Sequence, residues 1–352
     1  MADKGRLRID WPVCAEKIAA RFPRERLHPA VLAWAATQSQ GPWTVAFSGG
    51  ADSLVLLLLL WAHWPERRSR LLVLHFNHKL RGRDADADEK FCRKVCAALG
   101  MKLRTGAWRS AHRDASEAEA RVARMEFFEK EMRAARSRAL WLGQQMDDIA
   151  ETLLMRIARG SGAGGLGAPR PVQSMPGGRV HLRPLLTLKK KDLTSVLRAA
   201  GTPWREDATN VADDFFRNRI RRKVLPVWCA AEPGRDALAG AALTRELLAE
   251  DDSALEAWLD EVRPVAEDGT LDLRKLADKP RALVRRALHH WLLAQRDAGQ
   301  LSRQGFELLL AAVQRGQSTR HSLGARSFAV IRRGRLIYAK RKLADKKTRQ
   351  PN

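Results

Sequence analysis

The chain has 352 residues, 45% of them hydrophobic, with 64 Lys and Arg against 40 Asp and Glu, a formal charge of +24. Such length and apolar content suit two packed domains, and the cationic excess points to a polyanion, since each phosphate neutralised releases a counterion; a membrane surface would attract the same charge. A spanning helix is excluded, because the longest apolar run, 54–62, falls far short of the ~20 residues a bilayer needs, and residues 1–11 lack the apolar core of a secretory leader.

From Pro42 to about Val180, short apolar runs alternate with longer helical stretches, the pattern of a parallel sheet with crossover helices. Residues 44–47 read as a strand and 52–61 as a buried helix. A second strand is expected over 71–76, then a helix over 86–99 that ends at Gly100. A helix over 117–136, a short strand over 139–142 and a helix over 147–157 follow. The Gly- and Pro-rich stretch 160–178 reads as a loop. Past Pro226, amphipathic helices are expected over 235–261, 281–295 and 302–315, then two strands, 320–330 and 335–340, joined around Arg332-Arg333-Gly334. The fold class is therefore α/β with a smaller, mainly helical C-terminal domain. The expected domains are 1–228, a basic 229–340 with a short hairpin, and a basic tail 341–352. Cys14, Cys92, Cys96 and Cys229 are few and scattered, as in a reducing cytoplasm. Cys92 and Cys96 share a helix face and are expected to be buried thiols; they form no C-x-x-C pair.

The most informative stretch is Ser48-Gly49-Gly50-Ala51-Asp52-Ser53, between a strand and a helix. Two glycines let the backbone turn sharply and bring N–H groups close to an anion, and the following helix adds its positive end. Ser48 and Ser53 can donate hydroxyl hydrogen bonds to phosphate. Asp52 would repel phosphate unless it holds Mg2+. The plainer alternative is a strand–helix turn capped by Asp52 and Ser53. Two overlapping G-x-G-x-x-G spellings start at Gly160 and Gly162, but both follow a helix instead of a strand, so a dinucleotide site is not expected.

Ser-Gly-Gly-x-Asp-Ser after Val45-Ala46-Phe47 resembles the signature of the PP-loop ATP pyrophosphatases, which cleave ATP between the α and β phosphates and pass AMP to a substrate oxygen. Further stretches are similar to one branch, the tRNA(Ile)-lysidine synthases. They are His75-Phe76-Asn77-His78-Lys79-Leu80-Arg81-Gly82; the Arg helix Ala120-Arg121-Val122-Ala123-Arg124-Met125; and Asp147-Asp148-Ile149-Ala150-Glu151-Thr152 with Arg159-Gly160-Ser161-Gly162. Arg183-Pro184-Leu185-Leu186 follows, then Glu206-Asp207-Ala208-Thr209-Asn210 with Phe216-Arg217-Asn218-Arg219-Ile220-Arg221. The resemblance implies a two-step reaction. ATP adenylates the C2 oxygen of the wobble cytidine in a CAU-anticodon tRNA(Ile), and free lysine then displaces AMP to give lysidine. It also implies ATP contacts at Ser48, Gly49, Gly50, Ala51, Asp52, Ser53 and His75, Mg2+ on Asp52, and catalytic work by Asp52, Arg121, Arg124, Asp148, Glu151 and Arg217.

The residues suit that chemistry independently. Asp148 and Glu151 lie one helical turn apart, so both carboxylates can face one pocket and receive a lysine ammonium; a solvated helix face is the alternative. Arg121 and Arg124 could neutralise phosphate, or join Glu117, Glu119 and Glu126 in a surface ion-pair lattice. His75 and His78 could stand near adenine or ribose, or be satisfied structural histidines. Of the cations in 217–223, Arg217 is read as facing the site and the others as phosphate contacts, as are Arg281, Arg285, Arg286, Arg332, Arg333 and Arg335. Two departures stand out. Gln144 and Gln145 replace the family's histidine pair, which makes them candidate hydrogen-bond donors to the developing charge, and Met125 replaces its tyrosine. The chain also stops earlier than the longest members, so a second small C-terminal domain is expected to be missing. A PP-loop tRNA thiolase and a non-catalytic RNA-binding protein are the rival readings; single chain and homodimer both stay open.

Overall fold

The computed structural model describes residues 9–37, 41–79, 83–108, 116–206, 216–295, 301–324 and 327–340. Residues 80–82 of the His75 motif, 207–210 of the Glu206 motif and the tail 341–352 lie outside them. The chain divides into two compact units, 1–249 and 250–352.

The first unit is built on six strands: β1 (Trp43–Ala46), β2 (Leu71–Asn77), β3 (Lys102–Ala107), β4 (Ala139–Trp141), β5 (Val172–Met175) and β6 (Arg179–Leu182). Their order is β3-β2-β1-β4-β6-β5, all pairings parallel except the edge pair β5–β6. The chain starts in the middle with β1, runs outward to β3, then returns to place β4 on the other side. Strand order therefore reverses between β1 and β4, where α/β sheets open a ligand crevice at the carboxyl ends of their strands.

Helices α1 (Trp11–Arg21) and α2 (Pro29–Thr37) precede the sheet, and α3 (Ala51–His63), α4 (Arg83–Ala98) and α5 (Glu117–Ala134) are crossovers. Helix α3 is apolar on every side, and its Leu54 to Leu60 are at most 1% exposed; it forms the centre of the core, as all-round hydrophobic helices do. The rings of Trp43 on β1 and Trp141 on β4 pack at a tilt of 43°, with centroids 4.7 Å apart. Ser116 starts α5 with a reciprocal capping box to Glu119. After β4 come α6 (Met146–Ile157), the short α7 (Ala163–Leu166), α8 (Lys190–Ala199), α9 (Phe216–Arg219), a π-turn over Ile220–Val224, α10 (Leu225–Ala230) and α11 (Ala237–Val262).

Two expectations are corrected. The stretch 160–178 is no plain loop, since it contains α7 and β5, and 320–330 is two strands instead of one. In the second unit, β7 (Leu271–Asp272), β8 (Thr319–Ser322), β9 (Ser327–Arg332) and β10 (Arg335–Lys340) form an antiparallel sheet in the order β7-β10-β9-β8. Helices α12 (Arg281–Leu293) and α13 (Arg303–Arg315) share a core with it around Leu288, Trp291, Leu309 and Leu336. The β9–β10 turn does fall at Arg333-Gly334, both with positive φ (51° and 71°), as a two-residue turn matched to strand twist requires. No described helix is long and apolar enough to cross a membrane.

Candidate active site

The segment Ser48–Gly50 leaves the end of β1 at the switch point and feeds directly into α3. Gly49 holds φ at +90°, a conformation that side-chain-bearing residues rarely adopt. The Ser48 and Ser53 hydroxyls lie 3.0 Å apart. Ser53 donates to the Gly50 carbonyl at 3.0 Å and accepts from the Ser48 backbone N–H at 3.2 Å. The loop is thus tied into a ring by its own hydroxyls, while Gly50 begins α3 with no side-chain cap. The helix opens with unsatisfied N–H donors, which favours an anion there.

Asp52 lies in the first turn of α3. Burial pushes its carboxyl up from the ordinary range, and the Lys190 ammonium pulls it back down. Lys190 Nζ is 2.8 and 2.7 Å from the two Asp52 oxygens. The Lys190 backbone N–H donates to Asp147 Oδ2 at 2.9 Å, which fixes the start of α8 to the start of α6. The link from β4 to α6 passes so close to α3 that a Cβ on Gly143 would stand 3.0 Å from the Ser53 nitrogen and 3.1 Å from the Asp52 carbonyl carbon. Only glycine fits there without a backbone shift.

Asp148 and Glu151 are brought together on the buried face of α6, Glu151 fully enclosed. They are not an open pair, however. Arg217 donates from Nε to Glu151 Oε2 at 2.8 Å and from Nη2 to Asp148 Oδ1 at 2.6 Å. Arg221, one turn on, donates to Glu151 Oε1 at 2.5 Å and Oε2 at 3.0 Å. Two guanidiniums balance two carboxylates, the condition under which such charges can be buried. Burial works against the Arg221 cation, but the bonds to Glu151 outweigh it and hold its pKa above the ordinary value. Arg221, expected on the phosphate-contacting surface, therefore belongs to the site.

The glutamines are occupied as well. Gln145 is 1% exposed and caps α6, its side-chain oxygen accepting from the Asp147 N–H at 2.6 Å while its own N–H donates to Asp148 Oδ2 at 2.9 Å. These bonds start the helix and aim Asp148 while using only the side-chain oxygen and the backbone N–H of Gln145. The Gln144 oxygen accepts from Arg183 Nε. Arg183 also donates to the Arg170 carbonyl at 2.7 Å and to Gln173 at 2.9 Å, and burial pushes its pKa down to about 10.

On the other side of the loop, His75 is 3% exposed. Its Nδ1 donates to the Phe47 carbonyl at 2.9 Å, which leaves Nε2 as the acceptor, and Nε2 has no partner among the described residues. Burial lowers its pKa and so favours the neutral ring. Arg205 binds Asp88 at 2.6 Å, and its backbone N–H donates to the Gly49 carbonyl at 2.9 Å. His78 instead packs against Phe76 and Trp108. Cys92 and Cys96 are buried thiols as expected. Arg121 and Arg124 stand on α5; Arg121 is exposed, and its charge reaches Arg156, His181 and Arg183, all of whose pKa values are lowered, mainly by burial. In the second unit Arg281 and Arg285 pair with Glu307, Arg286 with Asp252 and Glu256, and Arg335 with Asp268, so these cations are partly spoken for.

The PP-loop domain family matches residues 23–228. A Pseudomonas syringae pv. tomato tRNA(Ile)-lysidine synthase is 35% identical over 324 residues, 83% of this chain and 69% of the relative. The chain belongs to the tRNA(Ile)-lysidine synthase family of PP-loop proteins. Its counterpart in Geobacter sulfurreducens is 36% identical over 270 residues, 73% of this chain and 56% of the relative. The Pseudomonas aeruginosa member is 34% identical over 79% of this chain and 62% of the relative. The chain thus spans well under two thirds of several relatives' length. A U34-tRNA thiolase NcsA from Methanococcus maripaludis, solved with its [4Fe-4S] cluster, has a TM-score of 0.51 at 18% identity over 67% of this chain and 78% of its own, a likeness of fold.

Within this lysidine synthase family member, the PP-loop's Asp52 lies near the Asp148–Glu151 pair, since Asp148 and Arg221 both act electrostatically on Asp52. Lys190 and Arg205 escaped the sequence reading because no motif singled them out, and Arg183 was marked by its motif without a role. One signal was available. Lys189, Lys190 and Lys191 crowd the start of a helix, where the dipole disfavours cations, so each needs an anionic partner. Lys189 finds Asp236 and Lys190 finds Asp52.

Proposed function

We propose that this chain is a ligase that forms a carbon–nitrogen bond, joining the ε-amine of lysine to C2 of the wobble cytidine of an AUA-decoding tRNA(Ile). The adjacency of the nucleotide loop and the buried carboxylate pair carries the reading. A triphosphate held at Ser48–Ser53 and an ammonium received at Asp148 and Glu151 would meet within one crevice.

In the first step the cytidine C2 oxygen attacks the α-phosphorus, the bond to the β-phosphate oxygen breaks, and pyrophosphate leaves. The N–H groups of Gly49, Gly50 and Ala51 and the hydroxyls of Ser48 and Ser53 would hold the phosphates, and the open acceptor of His75 would receive a donor on adenine or ribose. Arg121 and Arg124 would face the RNA phosphate or the α-phosphate. Asp52 would hold Mg2+, which lowers the charge on the leaving phosphates. The residues fit that ion, since Asp52 is an oxygen donor that already has a cation on both its oxygens. In the second step the lysine amine, deprotonated as it leaves Asp148 or Glu151, attacks C2 and AMP departs with the bridging oxygen. The incoming ammonium would take one guanidinium's place, which frees Arg221 for phosphate.

The test is incorporation of radiolabelled lysine into tRNA with ATP. Wild type should label a CAU-anticodon tRNA, whereas Asp148→Asn and Glu151→Gln should need at least ~10-fold more lysine and accumulate adenylated RNA. Equal loss of both steps would show that the pair serves the nucleotide instead.

A further inference from the structure

We propose that Lys190 is the charge-balancing residue of the leaving group. Its ammonium neutralises Asp52 while the nucleotide site is free, then passes to the pyrophosphate end of the nucleotide once Mg2+ takes the carboxylate. The proposal rests on the adenylating reaction proposed above and names a residue that no motif marked.

Three observations carry it. The ammonium lies 2.8 and 2.7 Å from the Asp52 oxygens, yet the Lys190 side chain is 44% exposed against 24% for Asp52. The bridge is therefore reachable from solvent and is not sealed in the core. The main chain of Lys190 is held separately, by its N–H bond to Asp147 at 2.9 Å. The side chain can thus leave Asp52 without moving the helix, and a lysine stem with four rotatable bonds suits such a transfer. Finally, Asp52 sits in the first turn of the helix that the phosphate loop opens, so a cation displaced from it lies beside the phosphates.

The charge sequence is simple. With Lys190 on Asp52 the pair is neutral. When Mg2+ takes Asp52, the ammonium is left uncompensated at a site whose new occupant is polyanionic. As the α-phosphorus–oxygen bond breaks, its electron pair stays on the departing oxygen, where a fixed cation stabilises the growing charge. Lys190 transfers no proton in this step.

The experiment compares the full-length wild type with Lys190→Met and Lys190→Arg. Calorimetry measures binding of inorganic pyrophosphate with Mg2+ in the absence of RNA, and single-turnover assays with ATP and tRNA measure pyrophosphate release. Lys190→Met is expected to weaken pyrophosphate binding at least ~10-fold and to slow its release ~100-fold, with the KM for lysine within about twofold. Mg2+ should bind the nucleotide-free Lys190→Met protein more tightly, since its competitor is gone. Lys190→Arg should recover most of the pyrophosphate affinity. Unchanged pyrophosphate affinity in a folded Lys190→Met protein overturns the assignment and makes the bridge a plain structural tie. A wild type that binds pyrophosphate through Lys190 yet transfers lysine to no tRNA sinks the proposed function and leaves this assignment standing.

Discussion

His181 on β6 gives a residue-scale test of how the cationic side of the crevice is built. Burial is the main cause of its lowered pKa, followed by the charges of Arg183 and Arg121, and together they bring it from 6.5 to about 4. The neutral ring is what the fold accepts. Unfolded chains bind the proton first, so the stability it supplies is present above about pH 6.5 and is lost as pH falls toward 4. Between about pH 7 and pH 4.5, wild type should lose on the order of 2 kcal/mol more than His181→Gln, measured by denaturant unfolding. Parallel losses would mean that the histidine protonates freely in the fold. At this scale much of the site was legible. Ser48 to Ser53 and the α6 carboxylates announce themselves by type and spacing. Arg217 was read as facing the site; what escaped was its pairing with the carboxylates, and the place of Arg221 beside it. Arg217 and Arg221 sit on Glu151 from 66 and 70 residues away in sequence, and nothing in a one-dimensional pattern says which cation will cross to which carboxylate. The capping bond of Gln145 escaped for a related reason, because a helix cap cannot be told from any other polar residue before the backbone is known.

Among elements, the run from α9 through the π-turn to α10 decides whether the arginines reach the acid pair. Its anchor is Leu225, 6% exposed, packed with Ala150 and Leu153 of α6 and Ala241 of α11. Leu225→Ala should cost about 2–4 kcal/mol from the cavity it opens. It should also loosen Arg217 and Arg221 from Glu151, which would raise the lysine requirement while ATP affinity holds. Thermal unfolding and separate titrations of ATP and lysine check this; an equal loss in both affinities would mean that the packing serves the whole crevice. The two compact units meet at 249/250, inside α11, whereas the expected boundary is 228/229. Leu238 and Ala241 lend their apolar faces to α6, and amphipathic periodicity marks a helix without saying which core it serves. Helix α3 was plain in sequence because its apolar run is continuous. Strands β3, β5 and β6 were missed since they are short or lie at the sheet edge, where burial alternates weakly.

For the molecule as a whole, the +24 charge and the PP-loop unit fit the proposed reaction, in which a nucleotide is spent on an RNA substrate. Arg332 and Arg333 are exposed in the β9–β10 turn and joined to no ion pair among the described residues, unlike Arg281 or Arg286. They are the better candidates for phosphate contact in the second unit, a role that shows as salt-dependent affinity. The proposed reaction splits ATP between its α and β phosphates to activate RNA for attack by lysine. A labelled α-phosphate reads that split: the full chain is given the labelled ATP, a CAU-anticodon tRNA and lysine, and the label is followed. One AMP and one pyrophosphate should appear for each lysine bound, with the label held on the RNA when lysine is withheld. Label recovered as ADP, or pyrophosphate released at the same rate without RNA, would contradict it.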